Sequence, residues 1–84
     1  MVTVKLFGTL RLDCGVRELQ LEAGNLRELY PELCRALQAR RPDLELTEMD
    51  LRWCLVAVNG VRVGPRTRLR DGDVVSFFPA AAGG

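Results

Sequence analysis

Leu26, Leu29, Tyr30, Leu33 and Leu37 fall at helical spacing and form one apolar stripe. A helix with a single stripe must bury it against another layer, and the segments on either side of it alternate with a period of two. The stripe therefore asks for a sheet. Its start is marked by Gly24-Asn25, with Asn25 as N-cap and Glu28 three residues later in capping-box position. Pro31 interrupts the pattern, because it has no N–H to offer the carbonyl of Arg27. Either the helix kinks there, or residues 25–30 form a separate turn and the helix restarts at Pro31; one kinked unit is the preferred reading. Arg40 and Arg41 suit the C-terminal end of the helix dipole, and Pro42 ends the element.

Before the helix, Val2, Val4 and Leu6 alternate with Thr3, Lys5 and Phe7 and predict a strand. Residues 8–15 have glycine at both ends and read as a turn or loop. Val16 to Glu22 alternates again, and an antiparallel hairpin with the first strand is the natural pairing. After the helix, residues 43–52 read as an irregular loop. Trp53 to Val58 is apolar throughout and suits a strand covered on both faces, with Trp53 at the sheet edge. Asn59-Gly60 signals a tight turn into a short strand, Val61 to Val63. Leu69 is a lone apolar anchor in a polar loop. Asp71-Gly72-Asp73 turns the chain into the last strand, Val74 to Phe78. The expected fold is α+β: a mixed sheet of four to five strands with one main helix across one face, the β-grasp or ubiquitin-like arrangement. Residues 1–78 form the domain and residues 79–84 a flexible tail.

Composition narrows the chemistry. With 84 residues there is one domain, and a net charge of +1 gives no reason to expect nucleic acid or a membrane surface as partner. No apolar run reaches membrane-spanning length, and the opening residues read as a strand rather than a signal peptide. The three cysteines, Cys14, Cys34 and Cys54, show no zinc or redox spacing. They point to reduced thiols in a cytoplasmic protein, Cys34 and Cys54 as core fillers and Cys14 as the candidate for an exposed thiol. Histidine is absent, which removes the commonest general base. Asp71 and Asp73 are read as turn residues rather than metal ligands, and no metal site is expected. No phosphate-binding loop is visible. The chain offers no nucleophile–base pair, so it is not expected to be an enzyme in its own right.

What remains is the last segment, Pro79-Ala80-Ala81-Ala82-Gly83-Gly84. Its only reactive group is the α-carboxylate of Gly84. Two glycines carry no Cβ, so that carboxylate can be threaded into a narrow site.

Several segments together carry a family resemblance: the opening strand Val2-Thr3-Val4-Lys5-Leu6-Phe7, then Leu55-Val56-Ala57-Val58-Asn59-Gly60, Leu69-Arg70-Asp71-Gly72-Asp73-Val74-Val75, Phe77-Phe78-Pro79 and the terminal Gly83-Gly84. In this order they resemble the MoaD-like small subunit of molybdopterin synthase, within the MoaD/ThiS ubiquitin-like sulfur carriers. The resemblance implies that a MoeB-like enzyme uses ATP to adenylate Gly84. A sulfurtransferase or desulfurase then supplies sulfur, leaving a C-terminal thiocarboxylate. The carrier itself holds no cofactor. A MoaE-like large subunit receives the tail and supplies catalysis in molybdenum cofactor biosynthesis. In this reading Gly84 reacts, Gly83 gives clearance and Pro79 sets the exit of the tail. Phe7, Val75 and Phe77 are expected on the sheet face opposite the helix, as a partner surface. Ala80 and Ala81 depart from the family, which often has a second proline and a larger aliphatic residue there. A ThiS-like thiamine carrier, another sulfur-transfer pathway and a ubiquitin-like protein modifier are the alternatives.

Overall fold

The computed structural model describes residues 1–79. The elements run β1 (Val2–Leu6), α1 (Gly8–Cys14), β2 (Glu18–Leu21), α2 (Leu26–Arg40), α3 (Glu48–Arg52), β3 (Leu55–Val58), β4 (Val61–Arg62) and β5 (Val74–Phe78). The strands form one mixed sheet in the order β2-β1-β5-β3-β4. β1 and β5 pair in parallel at its centre, with Val4 beside Val75 and Leu6 beside Phe77. The other ladders are antiparallel. This is the expected β-grasp arrangement.

The helix α2 is continuous through Pro31. The Asn25 side chain accepts from the Glu28 N–H at 2.9 Å, and Glu28 accepts from the Gly24 N–H at 3.0 Å, so two otherwise orphaned donors are satisfied. Leu26, Leu29, Leu33 and Leu37 are all wholly buried against the sheet. Each contributes about 1.5–3 kcal/mol of burial free energy. The lone anchor Leu69 is buried, and its N–H reaches the Gly24 carbonyl at 3.0 Å, which ties the long loop to the start of α2.

Two predicted loops contain helices. Residues 8–14 form α1, which buries Leu10 and Cys14 four residues apart on one face. Gly15 closes it in the left-handed conformation (φ 67°) and donates to the Arg11 carbonyl. Cys14 is thus a core residue and not an exposed thiol. Residues 48–52 form α3, started by a capping box between Thr47 and Asp50. Leu51 is wholly buried. β3 begins at Leu55, so Trp53 caps α3 instead of starting a strand, and it is largely exposed. β3 is covered on one face only: Leu55 is exposed and Val56 buried.

The last strand faces the other way from the expectation. Val75 and Phe77 are fully buried on the helix side of the sheet, and Phe77 meets Tyr30 edge-on with ring centroids 6.1 Å apart. They cannot form a partner surface. Alternation fixes two faces but not which one is inward; the parallel register to Val4 and Leu6 decides it.

Candidate functional site

The end of the described chain is built by β1, α1 and β5. The Phe7 N–H donates to the Phe77 carbonyl at 3.1 Å, extending the β1–β5 ladder to the point where β5 ends. Phe7 and Phe78 then stack on the outer face of the sheet, with ring centroids 4.6 Å apart and 13° between planes. Leu55 lies beside Phe78 in register. Phe78 is 39% exposed and Leu55 43% exposed, while Phe7 is half-buried. A continuous apolar patch therefore sits at the end of β5, beside the last described residue, Pro79. Of the residues expected on this face, only Phe7 lies there. Phe78 and Leu55 take the places given to Val75 and Phe77.

Pro79 packs against Gly8. A Cβ added at Gly8 would come within 3.2 Å of the Pro79 ring, and Gly8 adopts φ +60°, a conformation that suits glycine. The start of α1 and the exit of the chain are thus fitted to each other. Gly83 and Gly84 lie outside the described residues.

The turn from β3 to β4 is locked to the start of β5. Asn59 (φ 52°) accepts from the Val74 N–H at 2.9 Å and donates to Asp73 at 2.9 Å. Asp73 also accepts from the Arg70 N–H at 2.8 Å. These hydrogen bonds hold its carboxyl below the usual range. Asp71 pairs with the amino group of Met1. Both aspartates have structural roles, and among the described residues no group of three cysteine or acidic side chains could hold a metal ion.

The thiols are poorly placed for nucleophilic work. Burial, with help from Asp50 and Cys14, pushes Cys54 up to about 11. Burial also raises Cys14 and Cys34. At pH 8 a thiol with a pKa near 11 is only about 0.1% thiolate. Cys54 should therefore react with iodoacetamide about tenfold faster for each pH unit between 8 and 10. Peptide mapping of the alkylated protein checks this, and a rate that levels off below pH 9 would contradict the environment described.

With this geometry in place, the chain matches the ThiS family over residues 4–84. It belongs to the ThiS family. Members are small ubiquitin-like sulfur carriers. Solved structures similar to the chain include Urm1 from Trypanosoma brucei, with 32% identity, 99% of this chain and 94% of that chain covered, and a TM-score of 0.69. The Amycolatopsis orientalis BexX/CysO complex matches with 27% identity, full coverage of both chains and a TM-score of 0.71. The complex of subunits 1 and 2 of molybdopterin-converting factor from Helicobacter pylori matches with 26% identity, 99% and 97% coverage and a TM-score of 0.60. No match is found among the curated proteins. Two of these three neighbours are complexes with a protein partner. Among the described residues no helix is long and apolar enough to cross a membrane.

Proposed function

We propose that this ThiS-family carrier transfers sulfur through the carboxylate of Gly84 in molybdenum cofactor biosynthesis. The reading rests on one observation: the apolar patch of Phe7, Phe78 and Leu55 lies at the end of β5, which the sequence continues with a segment ending in Gly83-Gly84. A carboxylate oxygen is a poor leaving group. ATP on a MoeB-like partner converts it to an acyl-adenylate, with loss of pyrophosphate, and the terminal sulfur of a persulfide on a sulfurtransferase or desulfurase displaces AMP; a thiol then cleaves the acyl disulfide, which releases the thiocarboxylate and leaves a disulfide on the donor. The body docks through the patch while the glycines enter the partner's active site. A MoaE-like large subunit then receives the sulfur. Likeness to a molybdopterin-converting factor complex supports this branch, and likeness to Urm1 and CysO keeps a modifier or another sulfur pathway as the second reading.

Intact-mass analysis tests the chemistry. Incubation with the activating enzyme, ATP and a sulfur donor should make the protein about 16 Da heavier, the difference between sulfur and oxygen. An unchanged mass, with the activating enzyme turning over on a control carrier, would overturn the reading. Phe78→Ala should weaken binding to the activating enzyme about 10- to 100-fold, as loss of an aromatic anchor does, while the fold persists. Calorimetric titration reads the affinity, and an unaltered Kd would remove Phe78 from the interface.

A further inference from the structure

Beside the apolar patch lies a concavity of about 550 Å³, lined by Lys5, Arg11, Arg17 and Arg40 together with Phe7 and Glu18. The four cations come from β1, α1, the approach to β2 and the last turn of α2. None of them makes an ion pair among the described residues, although Arg35, Arg41 and Arg52 elsewhere do. Four positive charges around one hollow repel each other, and Glu18, the one acidic side chain lining it, leaves an excess of positive charge there. On the other side of α1 the sign reverses: Asp13, Glu45 and Asp50 line the hollow that contains Pro79.

We propose that the basic hollow is the docking site for an acidic segment of the protein that acts on the C-terminus of this chain. It rests on the sulfur-carrier reading only for the identity of that partner. Three of the four cations are arginines, whose planar forks pair bidentately with carboxylates and phosphates alike. The four cations come from four separate segments of the chain that line the hollow. The acidic side chain among them favours carboxylates on an extended segment over a compact phosphate group. Glu18 shares the hollow and repels a dense dianion placed among them, whereas an extended segment can set its carboxylates on the arginines around it. Phe7 lines the hollow and stacks in the apolar patch, so both form one continuous footprint. The opposite charge across α1 gives that footprint a direction. A partner turned the wrong way brings like charges together, so the charges set orientation while the patch supplies affinity.

The test uses the full chain and a fluorescent octaglutamate peptide at an ionic strength of about 0.1 M, where charges more than about 10 Å apart are largely screened. Binding should shift the backbone amide resonances around residues 5, 11, 17 and 40. Arg11→Glu with Arg17→Glu should weaken binding at least about tenfold, and Arg11→Gln with Arg17→Gln by a smaller factor. Arg27→Glu with Arg66→Glu makes the same change in net charge. Arg27 lies about 20 Å from Arg40 along α2 at 1.5 Å per residue, and this control should weaken binding less than about twofold. Thermal midpoints within a few degrees of the parent establish that the variants fold. Equal weakening by the two charge reversals, or no binding of octaglutamate, overturns the proposal. Displacement by pyrophosphate at lower concentration makes the hollow a small-anion site and also overturns it, as does tighter binding of an oligouridylate. None of these readouts involves sulfur, so failure here is separate from failure of the mass experiment.

Discussion

Phe77→Ala is expected to remove about 3–5 kcal/mol of stability, the range for truncating a buried aromatic. Phe77 is fully buried, sits beside Leu6 across the central parallel ladder, and meets Tyr30 of α2 edge-on. The truncation opens a void that both the sheet and the helix border, and close-packed interiors relax only partly into such a space. A domain of this length has only about 4–13 kcal/mol in total. The thermal midpoint should fall by roughly 15 °C or more. Denaturation followed by circular dichroism measures this, and a loss below 1 kcal/mol would contradict the core assigned to Phe77. Any drop in partner binding by this variant would follow from unfolding. The neighbouring Phe78→Ala should do the reverse, sparing the fold and weakening the complex.

Removing Gly83 and Gly84 should abolish sulfur loading altogether. The new end would be Ala82, whose Cβ widens the segment where threading demands least width, and which stops two residues short. Gly83 and Gly84 have no side chains to bury, so the thermal midpoint should stay within about 2 °C. Intact mass after incubation with activating enzyme, ATP and sulfur donor gives the answer. A truncated chain that still gains the mass of sulfur would place the reactive group elsewhere. The three thiols would then be the next candidates, although burial raises all of them.

The main architecture was readable because its signals are periodic. The stripe on α2, the alternation in β1 and β5, and the Asn59-Gly60 turn each bind local sequence to one local conformation. The short helices were missed for a different reason. α1 has seven residues and no side-chain N-cap, since Phe7 occupies that place, so its glycines read as loop punctuation. The left-handed C-cap at Gly15 was the available sign. In α3 the capping box uses Asp50 where Glu or Gln is usual, and the five-residue helix is too short to show a stripe. The faces of β5 were exchanged because Val74-Val75-Ser76-Phe77-Phe78 has apolar residues on both sides. Only pairing with β1, some seventy positions earlier, tells the two apart. The candidate site differs for the same reason: the alternation points to Phe7, whereas Phe78 and Leu55 become visible only with the pairing of β5.

β5 is the strand that joins the sheet. Without it, β2–β1 and β3–β4 are two separate ribbons with open edges, each too small to hold together in water. A polypeptide growing on the ribosome therefore cannot close its sheet until residues 74–78 have emerged, and these come just ahead of the glycines. Nascent or prematurely ended chains remain unfolded and open to proteases. The cell thus gets a built-in inspection step: any molecule with a closed sheet has already been translated to the edge of Gly83-Gly84, the segment we propose to react.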